Sequence, residues 1–227
     1  FAAWGVDTRR VRRLRLASSP VSTITVEADG ERTIVNYTDP RLLESEDLVT
    51  EDDLSGADAV LGDLLWPTGA LSAMEAARRL GVPAVLDFDH VRPGPIDAAL
   101  TTPTHIVFSA PALSEVTGEG DPTSGLQSVA ARTDAWLAVT LGEAGVIWLD
   151  DGGAVRTSPA FAVEVADTLG AGDVFHGAFA LGLAEDRPID EVVKRASAAA
   201  ALKCTRFGGR AGIPTSEELE EFLRHRS

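Results

Sequence analysis

The stretch Asp167-Thr168-Leu169-Gly170-Ala171-Gly172-Asp173-Val174-Phe175-His176-Gly177-Ala178-Phe179 is where residue types and spacing could do chemistry. Gly170, Ala171 and Gly172 are three small residues in a row, so their backbone N–H groups can approach a ligand without side-chain obstruction. The apolar segment that follows reads as a helix, and a helix N-terminus favours anionic oxygens. Asp173 is out of place there, because a carboxylate beside an anion cradle repels phosphate. A base that takes a proton from an attacking hydroxyl would explain it, and so would a plain helix N-cap. The residues alone leave both readings open.

Other polar residues carry less. Asp87 and Asp89 close a strand candidate and read equally as metal–phosphate groups or as the polar end of a strand. His90, His105 and His225 show no metal-ligand spacing, and His176 reads as a helix residue. Trp66, Trp136 and Trp148 read as core or wall. The run Arg9-Arg10-Val11-Arg12-Arg13 reads as a small solvated basic face. Cys204 is the single cysteine, so no intrachain disulfide can form and a reducing compartment is compatible. Acidic residues outnumber basic ones by 35 to 20, for a formal charge of −15. Such a surface repels nucleic acid and anionic lipid, so neither is an expected partner. A bound phosphate must then be held locally, by backbone amides and a metal. No apolar run is long enough to span a bilayer. The opening Phe1-Ala2-Ala3-Trp4-Gly5-Val6 lacks the features of a signal peptide. It also lacks an initiating Met and reads as part of a longer chain, with the cytoplasm as the expected location.

Positioning such a site requires a frame, and the sequence supplies one. Val21 to Val26 and Arg32 to Tyr37 are strand-like, and Ala28-Asp29-Gly30-Glu31 between them is a hairpin signal. From about Ala57 apolar strands alternate with amphipathic helices. Strand candidates are Ala59-Gly62, Ala84-Asp87, Ile106-Phe108, Trp136-Thr140 and Val146-Leu149, with Val163-Glu164-Val165 ahead of the glycine stretch. Helices are expected over Ala70 to Leu80 with Gly81 as C-cap, after Pro111, over Leu126 to Arg132, and from about Gly170, Asp190 and Thr215. Thr215 with Glu218 is a capping-box signature. Alternation of this kind predicts an α/β fold, a mostly parallel sheet with helices on both faces. In such a sheet ligands bind beyond the carboxyl ends of the strands. The expected organisation is one α/β domain (1–18 and 38–227) with a small β-hairpin lid (19–37).

The pattern Asp167-Thr168-x-Gly170-Ala171-Gly172-Asp173-x-Phe175-x-Gly177-Ala178-Phe179 resembles the C-terminal signature of the PfkB/ribokinase family of carbohydrate kinases. That resemblance implies a ribokinase-like fold and an ATP-dependent, Mg²⁺-using kinase for a small-molecule sugar. It implies an anion hole from Gly170, Ala171 and Gly172 and a catalytic base in Asp173. Val139-Thr140-Leu141-Gly142-Glu143-Ala144-Gly145 is similar to the family's turn beside the nucleotide, which assigns Thr140, Gly142 and Gly145, with Thr168, to ATP. Ala198 to Gly209 resembles the segment closing the adenine pocket, including Lys203, Cys204, Thr205 and Gly208. Asp167, Leu169 and the Gly208-Gly209 loop correspond to a monovalent-cation (K⁺) site of some members.

Within the family the chain looks most like the sulfofructose kinase branch, through Gly5-Val6-Asp7-Thr8-Arg9, Gly30 to Tyr37, Val174-Phe175-His176-Gly177 and Ala200 to Arg206. By that analogy Asn36 would reach the substrate, and lids would pair two subunits into a homodimer. Two departures stand out. Asp63-Leu64-Leu65-Trp66 carries Leu65 where that branch has a sulfonate-binding Arg, so an uncharged ketose or related sugar is expected instead. Ser109 and Ala112 occupy an Asn-x-x-Glu position that organises Mg²⁺ in many members. A sulfofructose or nucleoside acceptor, or a non-catalytic sugar- or nucleotide-binding protein, are the competing readings.

Overall fold

The computed structural model describes residues 1–26, 32–42, 48–91 and 96–226. The chain divides into two units, Phe1–Glu46 and Asp47–Ser227, and each is described by itself. In the first, β1 (Val21–Val26) pairs antiparallel with β2 (Arg32–Tyr37), with Val21 opposite Tyr37 and Val26 opposite Arg32. This is the expected hairpin, and its Ala28-to-Glu31 turn lies outside the described residues. Asp39, which follows β2, is buried; the Arg41 guanidinium and the Ser18 amide hold its carboxyl well below the usual carboxylate range.

The second unit is built on a six-stranded sheet in simple sequence order. Its strands are β3 (Val60–Asp63), β4 (Ala84–Phe88), β5 (His105–Ser109), β6 (Trp136–Thr140), β7 (Val146–Leu149) and β8 (Val155–Ser158). The first four run parallel, and β7 and β8 add antiparallel at one edge. Side chains alternate across a strand, and here both faces are covered. Leu86, Phe88, Ile106, Phe108, Leu137 and Val139 face the side covered by α1 (Pro67–Leu80), α2 (Ile96–Thr101), α3 (Ala110–Thr117) and α4 (Pro122–Ala130). Val85, Val107, Ala138 and Trp148 face the side of α5 (Ala171–Ala184) and α6 (Ile189–Cys204), while α7 (Ser216–Arg224) packs on α6. Burial on both sides is why these strands read as short unbroken apolar runs.

Local signals fix most of the ends. Gly81 closes α1 at φ 74°, and Thr215 and Glu218 form the full capping box of α7. Two helices begin earlier than expected. Pro67 sits in the first turn of α1, and α4 starts at Pro122 behind Asp121, whose carboxylate accepts the Ser124 amide. Both follow the preference for Pro at the first helical position. Strand β8 was not expected, because Val155-Arg156-Thr157-Ser158 is polar and lies exposed at an edge. Val163-Glu164-Val165 forms neither strand nor helix. Among the described residues no helix is long and apolar enough to cross a membrane.

Candidate active site

The register of the parallel strands brings their carboxyl ends together. Asp63 pairs with Asp87, Phe88 with Phe108, and Ser109 with Thr140. Ser109 ties this edge down. Its hydroxyl donates to the Asp89 carbonyl at 2.9 Å and accepts from the Ala112 amide as the cap of α3. Thr140 donates to the Phe108 carbonyl at 3.3 Å.

Helix α5 arrives at the same edge. Gly170 is its N-cap, at φ 77°, a left-handed conformation that L side chains adopt at a cost. Ala171, Gly172 and Asp173 are therefore the first three helical residues. Asp173 is not the cap, and no side chain caps this helix. That removes the N-cap reading of Asp173. The Ala171 amide donates to the Thr168 carbonyl at 3.2 Å, and no side chain caps the rest of the first turn, where a helix start favours an anion. A side chain added at Gly172 would meet only open space, and the Asp173 carboxylate lies beside Gly170.

Beneath this turn lies a pair that the sequence did not reveal. His176 is buried on α5, donating from Nδ1 to the Gly172 carbonyl at 2.7 Å and lying 3.3 Å from the Asp87 carboxylate. Nε2 faces the Val107 carbonyl at 3.4 Å. Burial pushes the Asp87 carboxyl up to about 6 against the pull of His176, and the charges on Asp89, Asp173 and Asp63 push the same way. The only sequence signal was a histidine three residues after Asp173, on the face that α5 buries. Of the two candidate metal groups, Asp89 is the exposed one, and Asp87 is largely buried, with one carboxylate oxygen facing His176 and its Oδ1 without a hydrogen-bond partner among the described residues. Among the described residues no group of three or more His, Cys, Asp or Glu could hold a metal by itself.

The loop leading into α5 is strapped to the end of α6. Ala166 and Asp167 donate their amides to the Cys204 carbonyl at 2.8 and 3.1 Å. The Asp167 carboxylate accepts the Leu169 amide at 2.8 Å and the Gly208 amide at 2.9 Å, with the Lys203 ammonium 3.4 Å away. These amides, more than Lys203, hold the Asp167 carboxyl below the usual carboxylate range. Lys203 is fully buried and donates to the Asp167 carbonyl at 2.8 Å. Its side chain is thus closed to a nucleotide, which corrects the expectation that it contacts ATP. The K⁺ expected at Asp167 and Leu169 fits poorly as well, since the Asp167 carboxylate already serves two amides and an ammonium.

Thr168 is exposed and Gly208, at φ 94°, faces the same loop. Gly142 lies in the turn between β6 and β7 at φ 58°. Gly145 has a packing reason of its own, because a side chain there would run into the Ser158 backbone of β8. Asn36 is exposed on β2 of the first unit.

Comparison with known proteins places the chain among sugar kinases. A ribokinase from Haemophilus influenzae is 28% identical over 242 residues, covering 99% of this chain and 76% of that protein. A deoxyribokinase from Salmonella typhi is 28% identical over 234 residues, covering 97% of this chain and 74% of its own length. Among solved structures, a protein provisionally assigned as a ribokinase from Agrobacterium tumefaciens superimposes with a TM-score of 0.88 at 44% identity, covering 93% of this chain and 70% of that one. Residues 1–216 match the pfkB family of carbohydrate kinases, a span that takes in every candidate site residue, and the chain belongs to that family.

Proposed function

We propose that this chain transfers the γ-phosphoryl group of ATP to a hydroxyl of a neutral sugar, with Asp173 as general base and the Gly170-Ala171-Gly172 amides as anion hole. The observation that carries the proposal is the position of Asp173. It stands exposed in the first turn of a helix that no side chain caps, next to Gly170 and Gly172, with the Ala171 amide turned to the Thr168 carbonyl until a ligand competes for it. Asp173 accepts the proton of the sugar hydroxyl as its oxygen attacks phosphorus, and ADP leaves with the broken bond's electron pair. The amides take up charge on the transferring oxygens, which is most of what phosphoryl transfer asks of a protein. A Mg²⁺ ion carried by the nucleotide would supply neutralisation of phosphate charge. Such an ion needs one or two carboxylates besides phosphate and water, and Asp89, with Asp87 behind it, is the donor set offered at this edge.

The two relatives named as ribokinase and deoxyribokinase support a neutral sugar. Leu65 points the same way. It stands about half exposed just after β3 and offers no cation to a sulfonate. Thr140, Gly142, Thr168 and Gly208 are proposed to border the nucleotide, and Asn36 to contact the sugar. A homodimer paired through the hairpin belongs to the same proposal.

The test is ADP release from ATP·Mg²⁺ across ketoses, pentoses, nucleosides and sulfofructose. Turnover with a neutral sugar is expected. Turnover with sulfofructose alone would overturn the inference from Leu65, and silence throughout would favour a non-catalytic binding protein.

A further inference from the structure

We infer that Lys203 is a built-in cation for the loop that carries the phosphoryl cradle, so that this kinase works without a monovalent metal ion. The inference rests on the sugar-kinase reading above. Its starting point is a buried charge that the proposed mechanism does not use. Lys203 is fully buried in the last turn of α6, and burying an ammonium is costly unless it is paired and hydrogen-bonded. Both conditions are met by one residue, Asp167, through its carbonyl at 2.8 Å and its carboxylate at 3.4 Å.

That contact bridges the two kinds of oxygen, carbonyl and carboxylate, that a hard cation takes as ligands. The bridge falls where it matters. Asp167 is three residues before Gly170, whose left-handed turn starts α5, and the Cys204 carbonyl holds the Ala166 and Asp167 amides on the same α6 terminus. Asp167 also fastens Leu169 and Gly208 through its carboxylate. The approach to the anion hole is thereby anchored at one point by a tethered charge. A metal ion bound to the same carboxylate would sit against the fully buried ammonium, with like charges a few ångströms apart. Lys203 also lies at the negative end of the α6 dipole, which favours a cation there whether tethered or free. A tethered ammonium is not lost to dilution, whereas an ion is.

The experiment compares KCl with tetramethylammonium chloride at equal ionic strength, using wild type, Lys203→Ala and Lys203→Met. The methionine variant keeps the stem volume, should the alanine variant not fold. Turnover is read with ATP·Mg²⁺ and the neutral sugar found above, and thermal melting is read without substrate. Wild type is expected to give the same kcat, KM and Tm in both salts. The variants are expected to lose kcat in tetramethylammonium, by about 10²-fold if the cradle shifts by an ångström. K⁺, but not tetramethylammonium, should restore part of that loss and raise their Tm. Stimulation or stabilisation of wild type by K⁺ would overturn the inference. So would variants that match wild type in both salts, or a loss of melting temperature that K⁺ leaves unrepaired. The melting arm needs no turnover, so it still decides the role of Lys203 if the sugar-kinase reading itself fails.

Discussion

Replacing Asp173 by Asn removes the proposed base while keeping its shape, and the structure says how selective that change is. The side chain is exposed in the first turn of α5, with Gly170, not Asp173, as the cap. Its carboxylate makes no hydrogen bond among the described residues, so the substitution breaks no structural contact. A surface change of this kind alters stability by about 0.5 kcal/mol or less. Losing a general base costs about 10²–10⁴ in rate, so kcat should fall by that factor with the best sugar. The affinity for ATP should hold or improve, because one negative charge leaves the mouth of the anion hole. A coupled ADP assay at saturating sugar, with calorimetric titration of ATP and a melting curve, reads all three quantities. Undiminished turnover would refute the base assignment. Loss of ATP binding together with turnover would refute the claim that Asp173 acts by chemistry and not by shaping the loop.

Other outcomes follow from the same structure. Gly170→Ala forces a side chain into a left-handed turn, which costs about 1–2 kcal/mol; a lower urea midpoint and reduced kcat are expected, and an unchanged kcat would separate Gly170 from the anion hole. Burial holds the His105 imidazole down at about 4, from an ordinary 6.5. The unfolded chain therefore takes up a proton that the folded chain refuses, so this contribution is complete above pH 6.5 and is lost as pH falls towards 4. Wild type should lose about 2 kcal/mol from this group by pH 5, and His105→Gln, compared by urea unfolding at pH 7 and 5, should not show that loss. Asn36→Ala should raise KM for the sugar and leave KM for ATP alone; equal effects on both would count against Asn36 as a sugar contact.

Much of this was legible in the sequence because it is local. The three small residues before Asp173, the Gly81 cap, the Thr215–Glu218 box and the alternation of strands with helices each depend on neighbours within a few positions. They gave the architecture and the segment proposed to carry the chemistry. Local reasoning slipped where the signal was weak, as at the polar edge strand Val155–Ser158, or where Asp121-Pro122 opened a helix earlier than its apolar pattern did. What the sequence could not decide is what depends on distant segments meeting. Whether Asp173 caps α5 was decided only by the helix start falling at Gly170. His176 meets Asp87 only because α5 covers the sheet face on which Asp87 lies. Gly145 is required by β8, a strand the sequence hardly marks. Lys203 is joined to Asp167 across 36 residues by the packing of α6 against the loop. A buried charge finds its partner through the fold, since only tertiary structure sets which groups lose water together.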